Sequence, residues 1–271
     1  LNMQTANTVW LESIDQVMDH GEDIKVRGSM TKEITDQTIR FDMNEPVCYH
    51  PNRKLSYIFM AAEAYWITSG ALLTEEIAPY NKHIAKFSDD GHIFNGAYGP
   101  MFMSQIEYVV NQLYNDQFTR QAVMTIWVPN PVHSKDYRCT VSLVFQIRNN
   151  ELNVSVLMRS NDLILGRPYD MFNFTIMALR ILTRLNAKLL DTHDPMIKLG
   201  HQTLHAVSAH IYDSHYDMSN DLISNPFLTP EYRPMPERCF WDWPFVVRSL
   251  LACRNVTEDA FEKDQIWRIR P

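Results

Sequence analysis

The chain has 271 residues, of which 45% are hydrophobic, 21% charged and 11% aromatic. That length and balance provide for a large folded core and exclude a disordered or low-complexity chain. A formal net charge of -7 excludes a broad basic surface for nucleic-acid backbones, but leaves room for a few convergent arginines around one phosphate.

Trp10, Ile14 and Val17 recur at helical spacing in TVWLESIDQVMDHG, with Gly21 as the stop. A short strand-like stretch and then TIRFDMN follow. LSYIFMAAEAYWITSG, residues 55–70, reads as a long helix closed by Gly70. Glu63 lies inside its apolar run. A buried carboxylate is costly without a partner, so Glu63 reads either as functional or as mispatterned surface. Residues 71–95 are mixed and polar, and NGAYGP, residues 95–100, reads as a glycine-punctuated loop.

MFMSQIEYVVNQLYN reads as a helix and AVMTIWV, residues 122–128, as a strand. TVSLVFQIR, 140–148, and ELNVSVLMR, 151–159, flank Asn149-Asn150 as a hairpin of undetermined turn type. RSNDLILGRPYD, 159–170, is a polar segment feeding the helix MFNFTIMALRILTRLNAKLL, and HQTLHAVSAHIYDSH reads as a strand ending near His210. No repeat or linker divides the chain. Residues 1–271 therefore read as one mixed α+β domain, with a divergent tail from about 226.

No run approaches bilayer length, and the opening LNMQTANTVWLES lacks the basic and apolar regions of a signal peptide. The expected location is cytoplasmic, or the host cytoplasm if the chain is phage-encoded. Cys48, Cys139, Cys239 and Cys253 form no CxxC or metal knuckle, so reduced and mostly buried thiols are expected. His201, His205 and His210 cluster in sequence, but on a strand their spacing does not converge on a metal. Cys139 opens the first hairpin strand. From spacing alone it reads as a core cysteine, and Arg138 beside it would lower its pKa only by pointing the same way.

A longer pattern surrounds that cysteine. Cys139 is followed by Arg159-Ser160-Asn161-Asp162 and then by Leu165-Gly166-Arg167-Pro168-Tyr169-Asp170. This run resembles the signature of the thymidylate synthase superfamily. Other landmarks fall in the family's order, from about residue 5 to at least 217: Arg27, Glu63 before Gly70, Tyr98 in NGAYGP, Arg120 before a strand ending in Trp127, and the His210-x-Tyr212 pair. The tail matches poorly. The resemblance implies an α+β fold with a large twisted mixed sheet and surrounding helices. It implies a homodimer in which Arg120 reaches the neighbour's active site.

The resemblance also implies roles. Cys139 would add to C6 of a pyrimidine and activate C5, which then captures the one-carbon unit of 5,10-methylenetetrahydrofolate. Water on the resulting exocyclic methylene gives a hydroxymethyl group, and hydride gives a methyl group. Glu63 would organise water and proton transfers near ring and folate, Tyr98 would assist proton removal from C5, and Asp162 would orient the pterin. Arg27, Arg120 and Arg159, with Ser160, would hold the 5′-phosphate of the nucleotide monophosphate. His210 and Tyr212 would hold the 3′-hydroxyl, and Gly166 would permit close approach of the ligand.

Departures from the family pattern carry the choice of base. Methylating members have Asn where this chain has Asp170. An amide complements uracil, whereas a carboxyl complements the amino group and N3 of cytosine. The chain thus resembles deoxycytidylate and cytidylate hydroxymethylases most closely in its motifs, sharing Cys139-Thr140 and MRSND with the phage enzymes. Thr140 stands where the family has His, Ile84 near where it has Trp, and Gln121 in place of a second arginine. The leading expectation is dCMP 5-hydroxymethylation. Alternatives are CMP 5-hydroxymethylation as in nucleoside antibiotic biosynthesis, cytidylate C5-methylation, and a degenerate nucleotide- or RNA-binding regulator.

Overall fold

The computed structural model describes residues 3–192 and 195–225. Cys239, Cys253 and the tail from about 226 lie outside the described residues. Helix α1 (Ala6–His20) is opened by Thr5, whose hydroxyl accepts from the Thr8 N–H at 3.1 Å. Its buried stripe of Trp10, Ile14 and Val17 packs over the sheet. Trp10 is fully buried, and its indole N–H donates to the Leu163 carbonyl at 2.7 Å. That bond ties α1 to the loop that carries the Asp162–Gly166 motif.

Strands β1 (Glu22–Val26) and β2 (Ser29–Asp42) are antiparallel and joined by Arg27-Gly28, at φ 50° and 90°. Two central residues at positive φ give the turn whose twist matches the flanking strands. Strand β2 is much longer than TIRFDMN suggests. Its first half is mostly polar and part-exposed, so no apolar run marks it. Helix α2 (Tyr57–Thr68), the short α3 (Thr74–Ile77) and α4 (Gly99–Asn115) follow. Gly99 and Pro100 open α4 rather than closing a loop. A Cβ on Gly99 would lie 2.6 Å from the Ala71 carbonyl, so this close approach requires glycine.

Strand β3 (Val123–Thr125) is shorter than the apolar run around it, because Ile126 and Trp127 both donate to the single Val141 carbonyl, at 3.0 and 3.1 Å. Strands β4 (Thr140–Arg148) and β5 (Glu151–Met158) form the expected hairpin. Its turn residues Asn149 and Asn150 lie at φ 53° and 63°, the same turn family as Arg27-Gly28. Strand β6 (Asn161–Asp162), helix α5 (Arg167–Thr192), strand β7 (Lys198–Tyr212) and helix α6 (Tyr216–Ser224) complete the described chain. Helix α5 begins at Arg167, earlier than the polar motif suggests. Pro168 sits in the first turn, where a missing N–H costs nothing. Asp170 is therefore a first-turn helix residue.

Among the described residues, seven strands make one mixed sheet in the order β1-β2-β7-β5-β4-β3, with β6 added beside β7. The β5–β7 and β6–β7 pairs are parallel and the others antiparallel. This is the α+β architecture expected, with the right-handed twist of such sheets. Leu143, Phe145 and Ile147 alternate inward from β4 and share one core with Phe174, Ile181 and Leu185 of α5. Each such side chain contributes about 1.5–3 kcal/mol on burial. Helices α2 and α4 both pack on α5. No described helix is long and apolar enough to cross a membrane.

Candidate active site

The β4–β5 hairpin closes at its open end on Cys139 and Arg159, where the Arg159 N–H donates to the Cys139 carbonyl at 2.8 Å. Arg159 Nη2 reaches Cys139 Sγ at 3.7 Å. The guanidinium is fixed by bonds to the Arg138 carbonyl (Nε, 2.9 Å) and the Tyr137 carbonyl (Nη2, 3.2 Å), and it stacks over Trp127 at 5.7 Å. Arg138, the sequence neighbour, instead donates to the Ala97 carbonyl at 3.3 Å. The cation at the sulfur is thus Arg159, delivered by strand pairing. Burial pushes the Cys139 thiol above its ordinary range, and Arg159 pulls it back down. Asp170 and Asp136 add to the rise, and Arg27 opposes it.

Helices α2, α4 and α5 supply the opposite wall. Tyr98 caps the start of α4, and its hydroxyl accepts from both the Thr140 N–H (3.1 Å) and the Thr140 hydroxyl (3.0 Å). Two donors fill its lone pairs, so its own proton is available to another acceptor. Burial and the nearby Cys139 and Asp170 charges hold the phenol well above its usual range, keeping it protonated. Glu63 on α2 accepts from the Asn173 amide of α5 at 2.7 Å. Burial raises Glu63 to about 7, against that hydrogen bond. Asp170, one turn before Asn173, is raised to about 8, first by burial and then by Glu63.

The motif between β5 and α5 turns along the floor. Asp162 Oδ1 accepts the Ile164 and Leu165 N–H groups, at 2.8 and 2.9 Å, which bends the chain toward α5. A Cβ on Gly166 would lie 3.2 Å from Asp170 Oδ2, so the absent side chain leaves room for that carboxyl. His210 and Tyr212, at the end of β7, meet edge to face at 5.3 Å. His210 also shares a hydrogen bond with Ser208 at 3.3 Å.

These elements enclose a cavity of 590 Å³, a size that suits a small-molecule ligand. Cys139, Glu63, Tyr98, Asp170, Arg27, Arg159, Ser160, His210, Tyr212, Asp162 and Gly166 all line it. Arg120 does not; it is exposed just before β3. Trp66, Ile84, Phe87 and Leu165 give the cavity an apolar side, and Phe87 remains 47% exposed there.

Several participants escape a reading of the sequence. Asn173 would have been found from its one-turn spacing to Asp170, had α5 been started at Arg167. Thr140 reads as a loss of His, yet it supplies both donors to Tyr98. Asn161 and Arg167 lie inside the recognised motif as variable positions. In the structure, Asn161 Nδ2 donates to Asp170 Oδ2 at 2.8 Å, and the fully buried Arg167 donates from Nε to Asn161 Oδ1 at 2.5 Å.

The family model for thymidylate synthase matches residues 8–237. The deoxyuridylate hydroxymethyltransferase of Bacillus phage SP01 is 31% identical over 182 residues, covering 58% of this chain and 46% of that protein. The deoxyuridylate hydroxymethyltransferase of Pseudomonas phage M6 is 30% identical over 131 residues, covering 45% and 37%. Thymidylate synthase 1 of Bacillus spizizenii is 23% identical over 231 residues, covering 79% and 78%. The matched segments thus span less than half the length of the two hydroxymethyltransferases. Those two relatives are named for deoxyuridylate, not for the deoxycytidylate that the Asp170 motif leads one to expect.

Proposed function

The chain belongs to the thymidylate synthase family, and we propose that it transfers a one-carbon unit to C5 of dCMP, water completing a 5-hydroxymethyl product. The observation that carries this reading is the Asp170 carboxyl in the cavity wall, raised to about 8 and so neutral near pH 7. A neutral carboxyl accepts from the cytosine amino group with one oxygen and donates to N3 with the other.

In this reading Cys139, as thiolate, adds to C6, and the displaced electron pair makes C5 nucleophilic. N3 becomes more basic as the bond forms, and the Asp170 proton moves toward it. Arg159 stabilises the thiolate before attack and, with Arg27 and Ser160, binds the 5′-phosphate. Arg120 completes the phosphate site of a second copy, making the enzyme a homodimer. His210 and Tyr212 hold the sugar 3′-hydroxyl. Tyr98 stays neutral and directs its proton to the water that takes up the C5 hydrogen. Glu63, near 7, exchanges a proton with water at the exocyclic carbon.

The residues present fit a folate. Trp66, Ile84, Phe87 and Leu165 offer an apolar side for its rings. Asp162 offers a carboxylate for the pterin, with Oδ1 already committed to the backbone. When bound there, 5,10-methylenetetrahydrofolate supplies the one-carbon unit.

A second reading, hydroxymethylation of dUMP, is favoured by the names of the two phage relatives. To serve uracil, the carboxyl would have to carry its proton on the opposite oxygen, donating to O4 and accepting from N3–H. Incubating the protein with the folate donor and, separately, dCMP, CMP and dUMP decides between them by product mass. A gain of about 30 Da on dCMP is the expected result for hydroxymethyl transfer, against about 14 Da for methyl. Product from dUMP alone overturns the cytosine assignment, and product from CMP moves the sugar assignment to ribose.

A further inference from the structure

We infer that Arg167 and Asn161 form a positioning pair that fixes which oxygen of Asp170 carries its proton, so that base choice depends on an arginine outside the cavity. The inference rests on the pyrimidine-nucleotide reading above and deepens it.

Arg167 is fully buried yet absent from the cavity wall. Its Nη1 donates to Gln37 Oε1 at 2.6 Å, and Gln37 Nε2 donates to Gln16 Oε1 at 3.1 Å. Its Nη2 has no hydrogen-bond partner among the described residues. A buried guanidinium with an unmet donor is costly to keep, and an apolar residue would pack this position more cheaply. What Arg167 does have is the 2.5 Å bond from Nε to Asn161 Oδ1.

That bond removes an ambiguity. An asparagine amide can present either its oxygen or its NH₂ to a neighbour by turning over. A guanidinium only donates, so the amide oxygen must face Arg167 and the NH₂ must face Asp170. Asn161 lines the cavity yet is only 2% exposed, so both of its polar atoms are committed to these two partners. The NH₂ donates to Asp170 Oδ2 at 2.8 Å, which makes Oδ2 the acceptor oxygen. Among the described residues Oδ1 accepts no hydrogen bond, so the proton of the neutral carboxyl resides on Oδ1. Without Arg167 the amide is free to turn over. Its oxygen would then take the carboxyl proton from the Oδ2 side, leaving Oδ1 as an acceptor. The pattern offered to the base would be inverted: an acceptor would meet cytosine N3, and a partner would appear for uracil N3–H.

The test measures dissociation constants of dCMP and dUMP by calorimetry on the full chain, and kcat/KM for both where turnover is seen. Arg167→Met and Asn161→Ala are compared with the wild type, and Arg167→Lys serves as the conservative variant. The expected result is a dCMP-to-dUMP ratio shifted about tenfold or more toward the disfavoured base in both variants, with partial recovery in Arg167→Lys. A ratio unchanged while both affinities fall together overturns the inference and leaves Arg167 a structural residue. If Arg167→Met yields no folded protein, Asn161→Ala decides alone, and an unchanged ratio there overturns the inference. A wild type that prefers dUMP removes the dCMP assignment, but the inference stands if the ratio moves. A wild type that binds neither nucleotide removes the pyrimidine reading and the inference with it.

Discussion

Glu63 on α2 raises the proton affinity of Asp170 on α5. After burial it is the largest influence lifting that carboxyl to about 8, while Arg167 and the Asn161 bond oppose the rise. Glu63 itself stands at about 7. Of this pair, Asp170 is thus the one held neutral at neutral pH, with Glu63 close to its midpoint.

This arrangement makes stability depend on pH. Both folded pKa values lie above the ordinary carboxylate value, so between about 4 and about 8 the folded chain holds protons that the unfolded chain has lost. Their stabilising contribution is complete below about pH 4. It is lost as pH rises toward about 8 and is level above that. Asp170→Asn removes part of the slope, so its melting temperature should gain on the wild type from about pH 5 to about pH 8. A constant gap across that range in thermal melts would show that Asp170 ionises as an ordinary carboxyl.

The same substitution tests base choice. Asp170→Asn replaces a group that can donate to N3 of cytosine with an amide suited to uracil. The ratio of kcat/KM for dCMP over dUMP is expected to fall by on the order of a hundredfold or more. Parallel loss with both nucleotides would remove Asp170 from the base-reading position.

Arg159 lies 3.7 Å from the Cys139 sulfur and opposes the effect of burial on the thiol. Arg159→Gln should therefore move the thiol pKa upward. Alkylation of the Cys139 peptide, followed by mass spectrometry across pH, reads this directly, and an unmoved profile would contradict the electrostatic role. The buried Cys48 should stay unreactive throughout.

Cys139→Ser should lower turnover by a factor on the order of 10³ or more, because a hydroxyl is a far weaker nucleophile at neutral pH. Nucleotide affinity should change little. Retained turnover would exclude covalent addition by this residue.

Much of this cavity was legible because local pattern and spacing coincide in it. The hairpin strands alternate as Leu143, Phe145 and Ile147 require, and the long motif places Cys139, Arg159, Asp162 and Asp170 in order. The start of α5 was hidden because Gly166 and Pro168 look like loop residues, although proline suits a first helical turn. Strand β2 was hidden because its first half carries little apolar signal. Arg138 was weighed at the sulfur because it is adjacent in sequence, whereas pairing between strands delivers Arg159. Nothing local marks Arg167 as buried, since arginine is ordinarily a surface residue. Its environment comes from Gln37 on β2, 130 residues away in sequence, and from the orientation of Asn161 on β6.

The hairpin has a consequence for how the chain brings Cys139 and Arg159 together. Cys139 and Arg159 stand at the two ends of one β4–β5 unit, closed by the Asn149-Asn150 turn. Bringing them together costs only the closure of a short local loop, and such contacts form early and fast compared with distant pairings. Asp170 and Glu63, by contrast, meet only when helices far apart in the chain have docked. The sulfur and its cation can thus be in register before the Asp170–Glu63 wall exists, and the turn asparagines at positive φ become folding determinants of the cavity although neither lines it.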